Sequence, residues 1–588
     1  MAQGKTSSSE QVLLRWSDYV PSSDVQDPLG LALRGSARLG SSLLYCITSI
    51  TPRARYFAFL PWAILDHQRR ERDRAHALAL HDAIVLREQA LTLGCIAHHD
   101  GHPCAGGALV GTRGAQRWYA VNRETVNLRK VRFAKNPALS AYFNSLVNLG
   151  FFVTETEAIE TEEIRDEEEL TFDDIELSEL GIRLAEAYDS SVSRLAATRE
   201  LASTRRVCTI NHLAEFGKRG GLCELLRNDA ADRDLLQQIF FNQLSDKGPS
   251  HQVRRLSLLL ILELCRVLGR KGVSLDEPAF GDAVYFGILR DSATQRALTL
   301  PPQLRDIATR WRMFYFHHYM SVALEGMFAW SIAQLEPQGL TGATVAELVD
   351  RLDDRSLGRE LPQIFGLALT GKFALTSPAE FFGAFDIDSR ELDERVSLAL
   401  DRAVTPNTLV AENAQEHLIR SNAYLTSPIG LAVPLVLLAL TLGRYRRWET
   451  SNFGRWLANH VSDPYLDLLP PLVSLGLSQR FGNWWSSSWR DLASHVLTRF
   501  VIRQHLTMSY EKSSTGDRCL IQDDGQRIVT TGVFDKVGMG NVRFHSARQV
   551  LIDIGLVESS PEGIYTLTAA GARLLKQELA KTGPNEVH

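Results

Sequence analysis

At 588 residues the chain is too long for one hydrophobic core, and size alone predicts roughly three to five domains. Apolar residues make up 45% and charged residues 23%, which excludes wholesale disorder and makes most of the chain globular. A net charge of −5 excludes an overall attraction to nucleic acid, so any basic surface must be local.

The first ten residues, MAQGKTSSSE, lack an apolar signal core and read as a short disordered leader. Residues 11 to 110 read as helical. Near their middle, "ITSITPRARYFAFLPWAILDH" (47–67) offers Thr51 as an N-cap and Pro52 at the first helical position, with Pro61 expected to kink or end the helix. Arg69 to Ile96 alternate charged and apolar residues at helical spacing and predict an amphipathic helix. Next, "CIAHHDGHPC" (95–104) gathers Cys95, His98, His99, Asp100, His102 and Cys104. Zinc uses such ligands, but the spacing matches no common site and four ligands so close would wrap one ion tightly. A polar loop turning at Gly101 and Pro103 is the simpler reading, and no metal ligand is assigned. The seven cysteines form no CxxC pair and fit reduced, mostly buried thiols in a cytoplasm.

Residues 113 to 135 carry Arg113, Arg117, Arg123, Arg129, Lys130, Arg132 and Lys135 against one acid, Glu124. The sign then reverses: Glu155 to Asp174 hold eleven acids and one base, and predict a solvated loop. Around the acidic run, "LSAYFNSLVNLGFFV" (139–153) reads as a helix entering a short strand, and "LTFDDIELSELGIRLAEAY" (170–188) as a strand and a capped helix.

Residues 206 to 515 are rich in Leu, Ala and Arg at helical periodicity. Two apolar runs, 256–265 and 429–443, fall short of the roughly 20 residues a membrane helix needs and read as core helices. Residues 305–335 predict one long helix. Its His317 and His318 read as an interior hydrogen bond and a solvent contact. "GLALTGKF" (366–373) follows the phosphate-loop pattern until Phe373 replaces the metal-ligating hydroxyl. Trp484, Trp485 and Trp489 fit core packing at helical spacing better than base stacking.

At the C-terminus, "SARQVLIDIGLVESSPEGIYTLTAAGARLL" (546–575) repeats the helix, strand, strand, helix order with a short turn. Ala547, Val550, Leu551 and Ile554 form one apolar stripe, Gly555 ends the helix, Pro561, Glu562 and Gly563 suit the hairpin turn, and Thr568 caps the last helix. The pattern helix, "GLV", turn, "YxLTxxG", helix resembles the winged-helix superfamily, and the resemblance implies two divergent modules within a mainly α, multi-domain chain. On the helix before the hairpin, the outward arc holds Asn541, His545, Arg548, Gln549 and Ile552, and Arg, Asn and Gln are side chains that read base edges. The first module exposes Ser140, Asn144 and Asn148 with no base, and its acidic wing would repel phosphate.

"DPLGLALRGSARLGSSLLYCITSITPRARYFAFLPWAI" (27–64) is similar to uncharacterised bacterial proteins found beside antiphage defence genes; the resemblance implies a subunit of a defence complex and carries no functional residues. The expected domains are 1–110, an N-terminal helical region; 111–205, the first module with its acidic insertion; 206–425 and 426–515, two helical domains; and 516–588, the C-terminal module. The expected function is a non-enzymatic, cytoplasmic DNA-binding and assembly subunit with protein partners, double-stranded DNA as ligand, no membrane, no cofactor, no metal and no catalytic residue. The candidate DNA contacts are Asn541, Arg543, His545, Arg548, Gln549, Arg129, Lys130 and Arg132. A scaffold that docks partner subunits in the manner of kleisin winged helices, without DNA, is the alternative. An enzyme whose site residues lie far apart in sequence is the second.

Overall fold

The computed structural model describes residues 27–31, 37–70, 77–104, 106–122, 124–153, 175–227, 229–244, 248–290, 295–352, 377–378, 412–426, 430–449, 486–512, 519–534, 536–538 and 542–581. They are mainly helical, with short two-stranded antiparallel sheets. The chain divides into two compact units, each discontinuous in sequence: a larger one of residues 33–317, 460–468 and 540–588, and a smaller one of residues 1–32, 318–459 and 469–539.

The larger unit begins with α1 (Ala37–Leu43), α2 (Tyr56–Arg70), α3 (Leu80–His98), α4 (Thr112–Val121) and α5 (Ala138–Asn148). The expected start of α2 at Pro52 is displaced to Tyr56. The Arg53 amide is taken by the Tyr142 hydroxyl at 3.1 Å and the Ala54 amide by Asp553 at 3.0 Å, so the chain stays a turn where helix was expected. Thr51 accepts from the Thr48 amide instead of capping a helix. Helix α2 then runs through Pro61.

The expected amphipathic helix is also revised. Helix α3 begins at Leu80 and is buried almost all round, because α2, α4 and a later helix pack on it. Its polar residues are absorbed by specific partners. Arg87 pairs with Asp66 of α2 at 2.7 Å, both side chains buried, and Glu88 caps α5 through the Ala138 amide. That cap satisfies a helix-end donor which Pro137, at the N-cap, has no side chain to meet.

Next come β1 (Thr125–Asn127), α6 (Glu179–Val192), α7 (Ala196–Leu201), β2 (Val207–Thr209), α8 (Ile210–Gly220), α9 (Ala231–Phe240), α10 (Pro249–Gly269) and α11 (Glu277–Gly281), with β1 antiparallel to β2. Helices α3 and α8 cross at Gly94 and Gly217, where a Cβ on either glycine would collide with the opposite backbone. The buried guanidinium of Arg254 donates to the carbonyls of Phe240 and Ile239 at the C-terminus of α9, the end where a helix dipole favours a cation. The apolar run 256–265 lies buried inside α10. After the hairpin of β3 (Ile288–Arg290) and β4 (Gln295–Ala297), α12 runs from Arg305 to Leu335, the bounds its sequence predicts; residues to His317 belong to the larger unit and those from His318 to the smaller.

The smaller unit adds α13 (Val345–Val349), α14 (Glu412–Arg420), α15 (Ala432–Glu449), α16 (Trp489–Val496), α17 (Arg503–Glu511) and the hairpin of β5 (Ile521–Asp523) with β6 (Ile528–Thr530). The second apolar run supplies the buried part of α15. Among the described residues no helix is long and apolar enough to cross a membrane. His318 pairs with Glu416 at 2.7 Å. Burial would raise the Glu416 carboxyl, but His318 and Arg420 hold it down at about 2.

The C-terminal elements of the larger unit are α18 (Phe544–Asp553), β7 (Val557–Ser559), β8 (Tyr565–Leu567) and α19 (Ala569–Lys581). Gly555 takes the left-handed conformation that ends α18, and Thr568 caps α19 at the Gly571 amide while donating to the Gly555 carbonyl at 2.7 Å. The first segment has the same construction. Gly150 ends α5 with a positive φ, a short bridge joins Phe152 to Leu177, and Ser178 caps α6 at Gly181 while donating to the Gly150 carbonyl at 2.6 Å. In both segments the glycine after the cap lies on a carbonyl, that of Phe151 or Leu556, where a Cβ would clash.

Candidate functional site

The sequence-predicted DNA contacts fall into two groups with different surroundings. On α18 only His545 is exposed; the other residues are buried or half-buried. The Arg548 guanidinium lies 3.9 Å from the centre of the Tyr565 ring and donates to the Leu275 carbonyl at 2.6 Å. Burial lowers its pKa, with Tyr565 opposing. His545 pairs with Glu277 at 3.2 Å, and Gln549 donates to Asp553 at 2.8 Å. Arg543 is the left-handed residue before α18, with its side chain beside Gly40. Asn541 lies outside the described residues.

The hairpin is engaged as well. The Gly563 carbonyl accepts from Ser274, and Gly269 of α10 lies so close to Tyr565 that a Cβ there would come within 2.8 Å of its carbonyl oxygen. Glu578 of α19 receives Arg255 of α10 at 2.6 Å. Asp553 receives Arg53 at 2.9 Å, with side chains 4% and 1% exposed.

The basic block is arranged differently. Arg113, Arg117, Arg129, Lys130, Arg132 and Lys135 are all exposed, and among the described residues none has an acid partner. Arg123 and the acidic run lie outside the described residues. Arg113 and Arg117 stand one turn apart on α4; Arg129 and Lys130 close a short 3-10 turn after β1. Phe133 brings the two halves together. Its backbone lies against Gly114, where a Cβ would come within 2.7 Å of the Phe133 oxygen, and its ring meets Trp118 edge-on at 6.4 Å. Beneath them a cavity of about 20 Å³, the size of one water, is lined by Glu88, Gln89, Thr92, Arg132 and Lys135. Burial raises the Glu88 carboxyl to about 7, against the Ala138 amide.

A third cluster joins the loop after α3 to the 3-10 turn Leu222–Glu224. His99 Nε2, Cys104 Sγ and Cys223 Sγ lie within 4.8 Å of one another, with His99 3.2 Å from Cys223. The neighbouring Cys223 and Cys95 thiols and the Arg53 guanidinium hold the Cys104 thiol well below the ordinary thiol range. Beside them His98 pairs with Glu224 at 3.1 Å.

No family model, curated protein or solved structure matches this chain.

His317 and His318 are both buried, and Trp489 is buried at the start of α16. The phosphate-loop-like segment 366–373 and Trp484 and Trp485 lie outside the described residues. Sequence reasoning missed Cys223, because nothing in "GGLCELL" ties it to a loop far upstream. It also missed the joining role of Phe133, for which Gly111 and Gly114 were the available signal.

Proposed function

We propose that this chain binds double-stranded DNA by its phosphate backbone through the basic face of residues 113–135, while its C-terminal winged-helix module serves as a brace inside the larger unit. Six exposed cations without acid partners among the described residues, gathered around Trp118 and Phe133, carry the reading. Phosphate contacts of this kind position a protein on a duplex without reading its sequence. Binding is therefore expected to be tolerant of base order.

A specific observation favours the assembly role of the C-terminal module over groove entry. A recognition helix needs an outward face, and α18 exposes only His545. Arg548, the side chain best suited to guanine, is spent on Tyr565 and Leu275.

The test is fluorescence anisotropy with a labelled duplex across a salt series. Six phosphate contacts predict log K falling against log salt with a slope of about −5. Replacing Arg129, Lys130 and Arg132 together with Ala should flatten that slope by about 3. An unchanged slope and affinity in the triple variant would remove this face from consideration.

A further inference from the structure

We propose that His99, Cys104 and Cys223 hold one zinc ion. The close spacing that argued against a site made only from residues 95–104 is relieved by Cys223, which the turn after α8 delivers from another part of the chain. Zinc bonds sulfur at about 2.3 Å and imidazole nitrogen at about 2.0–2.1 Å, so tetrahedral ligand atoms stand roughly 3.4–3.8 Å apart. His99 and Cys223 already lie 3.2 Å apart, and the triad's 4.8 Å limit is within small side-chain rotations of that figure. Two sulfurs and one nitrogen from the chain leave the fourth position of the tetrahedron to a solvent molecule.

The donor set selects the metal. Thiolates with one imidazole in a tetrahedron suit zinc, whereas calcium and magnesium require oxygen. Two thiolates balance the charge of one zinc ion, and the Arg53 guanidinium stands beside Cys104. The same guanidinium donates to the carbonyls of Gly107 at 2.8 Å and Leu222 at 3.0 Å, next to both ligand-bearing segments. Such outer partners fix ligand orientation in metal sites.

The backbone is shaped for the same arrangement. The Gly94–Gly217 crossing sets α3 against α8 one residue before Cys95, and a Cβ on Gly221 would come within 3.1 Å of the Cys95 sulfur. The loop so fixed also supports α4: Gln116 donates to the Gly101 carbonyl at 3.0 Å, and Tyr119 packs on Gly101. The ion would thus hold in place the helix that begins the basic face.

The experiment uses the full chain, purified under reducing conditions without chelator, and does not depend on DNA binding. Elemental analysis should find one zinc per chain. Cobalt exchanged for it should show the visible bands of a tetrahedral ion and a near-ultraviolet thiolate charge-transfer band. Cys104→Ser and Cys223→Ser should lose the metal and its charge-transfer band, and Cys519→Ser should leave both unchanged. Two results on the unsubstituted chain overturn the proposal without relying on any variant's folding: no stoichiometric uptake of zinc or cobalt by the reduced protein, or a Cys104–Cys223 disulfide by mass spectrometry with no metal.

Discussion

Replacing Asp553 with Ala should loosen the C-terminal module from the larger unit. The carboxylate accepts from Arg53 Nε at 2.9 Å, the Ala54 amide at 3.0 Å and Gln549 at 2.8 Å, in a site from which solvent is excluded. After the substitution Arg53 keeps its bonds to Gly107 and Leu222 but loses its counter-charge, and the Ala54 amide loses its acceptor. Removing one partner of a buried pair costs about 3–5 kcal/mol, and an orphaned buried donor about 1–3 kcal/mol. These penalties overlap, so about 4 kcal/mol is expected for the whole change. With two compact units, a single unfolding transition is a poor readout. Hydrogen exchange read by mass spectrometry is better suited, because it reports local opening. Peptides from α18 should exchange roughly a thousandfold faster, at about 1.4 kcal/mol per factor of ten. Pairing Arg53→Met with Asp553→Leu should recover most of the protection, since an apolar pair needs no counter-charge. Additive single effects, with a coupling under about 0.5 kcal/mol, would refute the idea that the two residues act as a pair.

Gly217→Ala should cost about 3 kcal/mol or more, because the new methyl meets the Gly94 carbonyl and α3 and α8 must separate; hydrogen exchange of α3 and α8 peptides unchanged from the parent would contradict the crossing. Glu88 gives a pH signature. Its folded carboxyl titrates at about 7 against an ordinary 4.5, so the folded chain holds a proton that the unfolded chain has released; stability should fall as pH rises between those values and level off above 7. Glu88→Gln should abolish that slope, and a difference between variant and parent that is constant from pH 5 to pH 8 would exclude the assignment. Arg548→Ala should lower stability by about 1–3 kcal/mol through loss of the Tyr565 and Leu275 contacts. It should leave the salt slope of DNA binding unchanged, and a flattened slope would return α18 to the DNA interface.

Local chemistry was legible where short-range rules decide the outcome. The bounds of α12, the left-handed Gly555 and the Thr568 cap follow from periodicity and from what each residue type does at a helix end. The errors share a different cause. The first turn of α2 is lost to Tyr142 and Asp553, and α3 lacks a wet face because helices cover it; neither partner is adjacent in sequence. A helical wheel turned Arg548 outward correctly with respect to the apolar stripe, yet could not show that Leu275 and Tyr565 occupy that side. The basic residues were visible as composition, while the packing of Phe133 on Gly114 and Trp118 was not.

The Arg53–Asp553 pair also sets a schedule. Its partners are 500 positions apart, and at a synthesis rate of roughly 5–20 residues per second the ribosome needs about 25–100 s to travel between them. Throughout that interval the turn before α2 carries a cation whose permanent carboxylate has not been made. The larger unit cannot finish folding in the order in which it emerges. Its early helices must wait for a late segment, and during the wait the apolar surfaces that α18 and α19 later cover are open to chaperones and to aggregation.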